Sequence, residues 1–434
     1  MNRRRLLTAC ATGSLMAAAP ALRIRAQPGL TLRIGAVLPL AVGQAVAFTD
    51  NAAIAAEAAR RGAVLGAEEH DFNAQLFGHR VELRLASAPT ADAARRAAQR
   101  LMATERVFAL IGGLSDQASA LRDVAAERGA LFMNIGSSDD RLRSDGCARQ
   151  MFHVEASAAM YVDSIAAFFV RAGLRRWLLV AHDDAAGQAL LARARATIRH
   201  RHWGLREVGQ VTPTAGDSRF DAVAAAIARE QPQLLVALLP WHAQLDLFEQ
   251  LAAAGIEVPV TGLPDPVAQT RAFFDQVRTR APAFATGRRV VLWEHSLDRY
   301  GARELNDRFH RRWGAAMDAP AWAAYQAMKI LSEAATGAGT LDGAALAQHL
   351  AKPGVVFDVH KGIGVSFRPW DRQLRQPLYL VRIQPSARSG PGLAVLEGEL
   401  PAIHQPGTDP LERLDQIGER QRDSRCRILA QDRA

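Results

Sequence analysis

The sequence has few cysteines, lysines and aromatic residues. Its 434 residues include three cysteines, and no two of them have the CxxC spacing of a zinc or redox site. Aromatic side chains make up 6% of the chain, so aliphatic side chains and alanine must fill the interior. Three of the 53 basic residues are lysines, a bias that indicates genome composition rather than ligand chemistry.

The motifs of the common enzyme classes are also missing. The chain contains no GxxxxGK[ST], GxSxG or HExxH segment and no convincing GxGxxG segment. The one close histidine pair, His200 and His202, is expected at an exposed helix end rather than in a metal site. We predict that the protein is not an enzyme and that it holds no metal and no cofactor.

The positive charge of the chain does not indicate nucleic-acid binding. The net charge is +9, but five arginines lie within the first 26 residues, and without them the balance is 48 − 44 = +4. No stripe of basic residues alternates with aromatic ones, as a nucleic-acid surface would require. We predict no nucleic-acid partner.

The first 26 residues have the pattern of an export signal. Three arginines at residues 3–5 precede an apolar, small-residue run that extends to about Leu22. That run is too short and too rich in alanine for a spanning helix, and no later segment reaches about 18 uncharged apolar residues. Residues 3–7 also resemble a twin-arginine signal, so the Sec and twin-arginine routes both stay open. We predict an exported protein without stable membrane insertion after signal removal.

Removal of the signal leaves two cysteines, Cys147 and Cys426. An exported protein folds in an oxidising compartment, where two cysteines favour one disulfide. Such a bond would tie the end of the chain to its middle. The alternative, two separate thiols, stays open.

The body of the chain alternates between strand and helix patterns. Four strand segments alternate with helical ones between Leu32 and Ile135, and the same succession starts again between Trp177 and Thr261. Such a succession folds as a parallel sheet with helices on both faces. We predict an α/β protein with two doubly wound parallel-sheet lobes.

The remaining segments are more varied. Residues 288–293 predict a strand, residues 297–337 two helices, and residues 355–383 several strands with turns. The last 45 or so residues are rich in proline, glycine and charge. We expect them to form an irregular C-terminal tail with little core of its own, available for docking a partner.

Two loops after predicted strands combine glycines with hydroxyl groups. They are residues 112–116 (GGLSD) and residues 134–140 (NIGSSDD). Glycines let a ligand approach the backbone, and free amides at a helix start suit a carboxylate or another anion. The alternative for each loop is helix capping alone. The carboxylate pairs Asp139-Asp140 and Asp183-Asp184 also follow strands, and capping is the favoured interpretation for them.

Together these features resemble the type I periplasmic binding proteins, in particular the leucine/isoleucine/valine-binding receptors of ABC transporters. The resemblance covers roughly residues 31–385. It rests on the two doubly wound units, on the two loops above, and on the segments Phe72–Leu83 and Phe108–Ser115.

A second set of segments is similar to a narrower group, the binding proteins associated with PQQ-dependent alcohol dehydrogenase systems. That association concerns the physiological system and does not imply that this chain binds PQQ. The segments are Cys147, His153–Met160, Trp322, Phe367–Pro377 and Asp423–Arg427.

The family resemblance implies a periplasmic protein with two hinged lobes that close on a small organic ligand. A membrane permease of the ABC transporter reads this closure. The implied divisions are a signal peptide (1–26), lobe I (31–153 and 298–345), lobe II (154–297 and 346–385) and the C-terminal tail (386–434).

The resemblance also implies the ligand-binding residues. In amino-acid-binding relatives the first lobe holds the ligand carboxylate, and a carboxylate and an aromatic residue of the second lobe hold the ammonium group. The corresponding positions here are, in lobe I, Ser115, Asp116, Ser137 and Ser138, and in lobe II, Trp241 and Asp265.

Two departures from the family pattern argue against an aliphatic amino acid as the ligand. The first loop, residues 38–43, lacks the usual hydroxyl, and residues 183–187 replace the usual tyrosine-glycine pair. The ligand alternatives are an alcohol-derived acid, another small organic molecule, or a metal–ligand complex. The functional alternative is a periplasmic sensor without a transport role, or an accessory protein of the dehydrogenase system.

Overall fold

The computed structural model describes residues 29–40, 51–114, 116–202, 204–387, 390–402 and 407–428. The expected signal peptide lies outside these residues. The strands are β1 (Thr31–Leu38), β2 (Arg80–Ser87), β3 (Ala109–Gly112), β4 (Leu131–Asn134), β5 (Met151–His153), β6 (Arg176–Ala181), β7 (Arg206–Val211), β8 (Leu234–Leu238), β9 (Val260–Gly262), β10 (Arg288–Val291), β11 (Leu378–Ile383) and β12 (Ala394–Leu400). The helices are α1 (Asn51–Gln75), α2 (Ala91–Thr104), α3 (Ala118–Glu127), α4 (Ala158–Arg171), α5 (Ala185–His200), α6 (Asp221–Glu230), α7 (Trp241–Ala253), α8 (Arg271–Arg280), α9 (Ala302–Trp313), α10 (Ala319–Ala338), α11 (Gly343–Ala351) and α12 (Pro410–Leu414).

The first lobe is built on a parallel five-stranded sheet with the order β2-β1-β3-β4-β5. Side chains of one strand alternate between its faces, and Ile34 and Val37 of β1 accordingly belong to different core clusters. Helices α1 and α10 pack closely together on one side. Gly62 permits this packing, because a Cβ atom there would lie 1.9 Å from the carbonyl oxygen of Ala321.

The second lobe contains two sheets. Strands β7-β6-β8-β9 are parallel, and β10-β11-β12 are antiparallel. All five residues of β8 are buried, as expected for a strand covered on both faces by helices. The predicted α/β class with two parallel-sheet lobes is thereby confirmed, while the exact lobe boundaries stay a prediction.

Two expectations for the end of the chain need correction. In residues 355–383, β11 is the one regular strand, beside two isolated bridges, one between Phe367 and Leu374 and one between Gln373 and His153. The reason is that the polar groups of this segment bond to the first lobe and to the tail. The tail is also less irregular than expected, since β12 pairs with β11 and α12 follows it.

The tail is bonded covalently to the first lobe. Cys147 and Cys426 form a disulfide with an S–S distance of 2.12 Å and a Cα–Cα distance of 5.7 Å. The predicted pairing is confirmed. Within the described residues, no helix is both long and apolar enough to cross a membrane.

Candidate functional site

The two glycine-containing loops of the first lobe lie against each other. In the parallel register Gly112 of β3 pairs with Asn134 of β4, so both strands end at the same edge of the sheet. Gly113 has a φ of 93°, and a Cβ atom on it would lie 2.7 Å from Oδ1 of Asn134. A Cβ atom on Gly136 would lie 2.7 Å from Cα of Leu114. The glycines therefore allow the two loops to form one continuous surface.

The predicted serines differ in the hydrogen bonds that they form within the chain. Ser137 donates its backbone N–H to Oδ1 of Asn134 (2.9 Å), and its hydroxyl accepts the N–H of Asp139 (3.4 Å). The half-buried Ser138 hydroxyl has no hydrogen-bond partner among the described residues. Asp116 is exposed and has an interaction of its own within the chain, and Ser115 lies outside the described residues.

The start of α4 connects this loop to the second lobe. Ala158 donates its N–H to the carbonyl oxygen of Ser138 (2.8 Å), and Ala159 donates to Oδ1 of Asp140 (3.2 Å). The Ser157 hydroxyl caps the helix by accepting the N–H of Met160 (3.1 Å). These amides of α4 are thus occupied, whereas the Ser138 hydroxyl has no partner among the described residues.

The two predicted residues of the second lobe lie together. Oδ2 of Asp265 accepts the N–H of Trp241 (2.9 Å) at the start of α7, and Oδ1 accepts the N–H groups of Val267 and Ala268 (2.8 and 2.7 Å). Burial raises the pKa of Asp265, while these three amide hydrogen bonds lower it. The carboxylate is thus hydrogen-bonded to the backbone, and its ligand-binding role stays a prediction. No hydrogen bond or ring contact joins Trp241 or Asp265 to Ser137 or Ser138 within the described part of the chain.

A buried polar chain that was not predicted from the sequence lies within the predicted second lobe. Tyr161 of α4 donates its hydroxyl to Glu155 and lies 3.3 Å from Oε1 of Gln269. The same Oε1 accepts the N–H of Leu292 (2.6 Å). The buried Nε2 of Gln269 finds no partner among the described residues. An unsatisfied buried donor is costly, so it marks a place where a water or ligand oxygen is expected.

Residues 367–377, which suggested the narrower resemblance, hold the lobes and the tail together. Gln373 accepts Nε–H of Arg143 at Oε1 (2.6 Å) and donates from Nε2 to the carbonyl of Glu155 (3.0 Å). On the other side, Arg368 and Arg375 both bind Asp415 of the tail at 2.8 and 2.9 Å. The observed role of this segment is therefore structural.

The paired carboxylates act as caps and ion-pair partners. Asp184 accepts the N–H of Gly187 (2.7 Å) at the start of α5, and Asp183 accepts that of Ala215 (3.1 Å). Asp139 accepts the N–H of Arg141 (2.8 Å), and Asp140 pairs with Arg193 of α5 (2.8 Å). The part of the chain that the structure describes has no group of three or more histidine, cysteine, aspartate or glutamate side chains suited to a metal ion.

Comparison with known proteins gives a family and a fold. A family model described as periplasmic binding protein matches residues 39–390. No curated protein matches the sequence. A branched-chain amino acid ABC transporter periplasmic ligand-binding protein from Burkholderia xenovorans matches with a TM-score of 0.76 at 17% identity, covering 92% of this chain and 99% of that chain. An ABC transporter solute-binding protein from R. palustris in complex with benzoate matches with a TM-score of 0.65 at 20% identity, covering 85% and 96%. At these identities the likeness shows the fold alone.

Proposed function

We propose a function from one established premise: the chain belongs to the periplasmic binding protein family. For this chain we propose the role of solute-binding component of an ABC transport system, exported to the periplasm by the signal in residues 1–26. The lobes close on a small organic ligand, and the closed form meets a membrane permease. The observation that carries the proposal is the continuous loop surface around Gly113 and Gly136 at the carboxyl edge of the first sheet, where open α/β sheets bind ligands.

We further propose that the ligand is a small organic carboxylate without an α-amino group. The Ser138 hydroxyl and Nε2 of Gln269 are donors without partners among the described residues, and donors suit a carboxylate. The Asp265 carboxylate already accepts three backbone amides, so it is poorly placed to hold an ammonium group. The benzoate complex of the R. palustris protein is an instance of such a ligand on this fold.

The test is thermal unfolding of the exported protein against matched ligand sets. Each set holds an acid and the α-amino acid, amide and alcohol that share its carbon skeleton. Some sets have a branched aliphatic skeleton and others an aromatic one. A ligand at about 100 times its Kd adds about 2.7 kcal/mol, a shift of a few degrees. A shift with the acids only supports the proposal. A shift with the amino acids only contradicts the proposed ligand class and leaves the receptor function standing.

Ser138→Ala provides a residue-level test of the site. We expect the variant to bind the identified acid about ten times more weakly, because a hydrogen bond to a charged group is worth roughly 1.5–3 kcal/mol. Isothermal titration calorimetry measures this change. Ser218→Ala, which removes an exposed hydroxyl of the second lobe, is the matched control. Equal affinity in both variants would remove Ser138 from the site.

The link to PQQ-dependent alcohol oxidation is the finer part of the proposal. Its support is the similarity of residues 367–377 and of the segment around Cys426 to that group of binding proteins. The panel therefore includes short acids formed by alcohol oxidation, together with PQQ itself. Binding of these acids, without binding of PQQ, is the result expected for a receptor that serves such a system.

A further inference from the structure

The last described segment of the chain, residues 407–428, crosses both lobes and is called here the tail segment. At Gly418 it donates its backbone N–H to Asp163 of α4 (3.0 Å), and Glu419 pairs with Arg193 of α5 (2.7 Å). Gly418 has a φ of 88°, and a Cβ atom there would lie 2.8 Å from Nη1 of Arg368. The tail segment thus lies close against the second lobe before its disulfide to the first.

A cavity of about 590 Å³ lies between the tail segment, α5 and the loop that follows β4. This volume is within the range of small-molecule sites, roughly 300–1,000 Å³. Alanines of α5 provide small apolar wall positions. None of the five predicted ligand-binding residues that the structure describes lines this cavity. Its arginines are Arg141, Arg143, Arg193, Arg201, Arg420, Arg422 and Arg425.

The acidic groups around the cavity do not neutralise all of these arginines. Arg193 is paired with Asp140 and Glu419, and Arg201 lies 3.3 Å from Asp163. Exposed ion pairs join Arg141 to Asp139 (2.7 Å), Arg425 to Asp145 (3.0 Å) and Arg422 to Asp423 (3.6 Å). The half-buried side chain of Arg420 has no hydrogen bond or ion pair within the described residues, whereas its backbone carbonyl accepts the N–H of Asp423 (3.0 Å).

Arg420 and Arg201 also repel each other. Burial lowers the pKa of Arg201, Asp163 opposes this, and the positive charge of Arg420 lowers the pKa further. Two guanidinium groups held near each other, one without a counter-charge, form a surface that favours an anion.

We propose that this cavity binds a small polyanion, a polycarboxylate or a phosphate. Arg420 and Arg201 bind some of its oxygens, because a guanidinium presents paired N–H donors to two oxygens. Arg141 and Arg425 bind the others by exchanging their exposed partners, Asp139 and Asp145, for the anion, since exposed ion pairs contribute little to stability. The site is separate from the proposed ligand cleft, and it draws residues of both lobes and of the tail segment around one anion.

The test is calorimetry of the oxidised, exported protein with citrate, inorganic phosphate and acetate at constant ionic strength. We expect citrate or phosphate to bind and acetate to bind at least tenfold more weakly. Arg420→Ala should weaken the binding about tenfold or more. Its unfolding temperature without anion should not fall, because the substitution removes a repulsion. Arg427→Ala removes one exposed charge from the same segment outside the cavity, and it should leave the affinity unchanged.

Ser138→Ala separates this site from the cleft, since it should weaken binding of the cleft acid and leave citrate or phosphate affinity unchanged. A higher affinity for citrate than for phosphate identifies a carboxylate ligand, and a higher affinity for phosphate identifies a phosphorylated one. The proposal is overturned if neither anion binds, if acetate binds as well as they do, or if Arg420→Ala and Arg427→Ala have equal effects.

Discussion

Among single residues, Glu155 couples the folding of this protein to pH. Burial raises the pKa of Glu155 to about 7 from an ordinary 4.5, although the Tyr161 hydroxyl and Arg143 oppose this. The folded protein therefore keeps a proton that the unfolded chain has lost, so stability falls as pH rises from about 4.5 to 7. At about 1.4 kcal/mol per pKa unit, the contribution is about 3 kcal/mol. Glu155→Gln should remove this slope, measured by urea unfolding between pH 4.5 and 8.

The comparison of variant with wild type isolates Glu155 from other buried groups. Asp371, whose pKa burial raises to about 6, contributes a slope of the same sign in both proteins. His295 and His360, whose pKa values burial lowers to about 4, contribute the opposite sign in both. If the curves of unfolding free energy against pH are parallel for the two proteins, the pKa of Glu155 is not raised in the folded state.

Arg271 of α8 neutralises two buried carboxylates. It pairs with Glu294 and with Asp318, whose pKa values burial raises. Arg271→Ala should lower the free energy of unfolding by about 3–5 kcal/mol at pH 7, because two buried charges lose their partner. The loss should shrink toward pH 5 as the carboxyls take up protons.

Arg303→Ala is the matched control for Arg271→Ala. Arg303 pairs with Asp298 at the surface, with side chains 64% and 58% exposed. Its loss should cost less than about 1 kcal/mol. Similar losses in the two variants, or a loss at Arg271 that does not depend on pH, would argue against a buried ionic role.

At the scale of elements, the tail segment depends on its disulfide. Cys426→Ser should lower the free energy of unfolding by about 2–5 kcal/mol, since the bond restricts a long loop of the unfolded chain. It should also expose the arginines at 420–427 to trypsin, measured by the rate of limited proteolysis. Reduced wild-type protein is the control and should match the variant. Superimposable unfolding curves for oxidised and reduced protein would contradict this expectation.

The regular elements could be predicted where one local pattern determines them. Buried parallel strands such as β6 and β8 are short apolar runs, and their class and order followed from the sequence. Helix α4 was not predicted, although Ser157 caps it through the N–H of Met160 and gives a local signal. Strands were wrongly predicted in residues 355–377, because the apolar residues there have a strand pattern while the amide side chains bond to distant segments.

At the scale of the whole molecule, the contact between the two glycine loops could be predicted, and the buried hydrogen bond between Arg143 and Gln373 could not. The loops follow neighbouring strands, and the carboxyl ends of parallel strands meet at one edge. Arg143 and Gln373, in contrast, are 230 residues apart in sequence, and no local pattern indicates that they bond. The ligand-binding roles of all six predicted residues stay predictions: Ser115, Asp116, Ser137, Ser138, Trp241 and Asp265.

The bond between Cys147 and Cys426 makes most of this protein a covalent ring. The two residues are 279 positions apart, and strands β6 to β11 all lie on the ring between them. A single cut in any loop of that ring opens it but releases no fragment. A protease that nicks the second lobe therefore leaves one molecule in two joined pieces, until a reductant separates them.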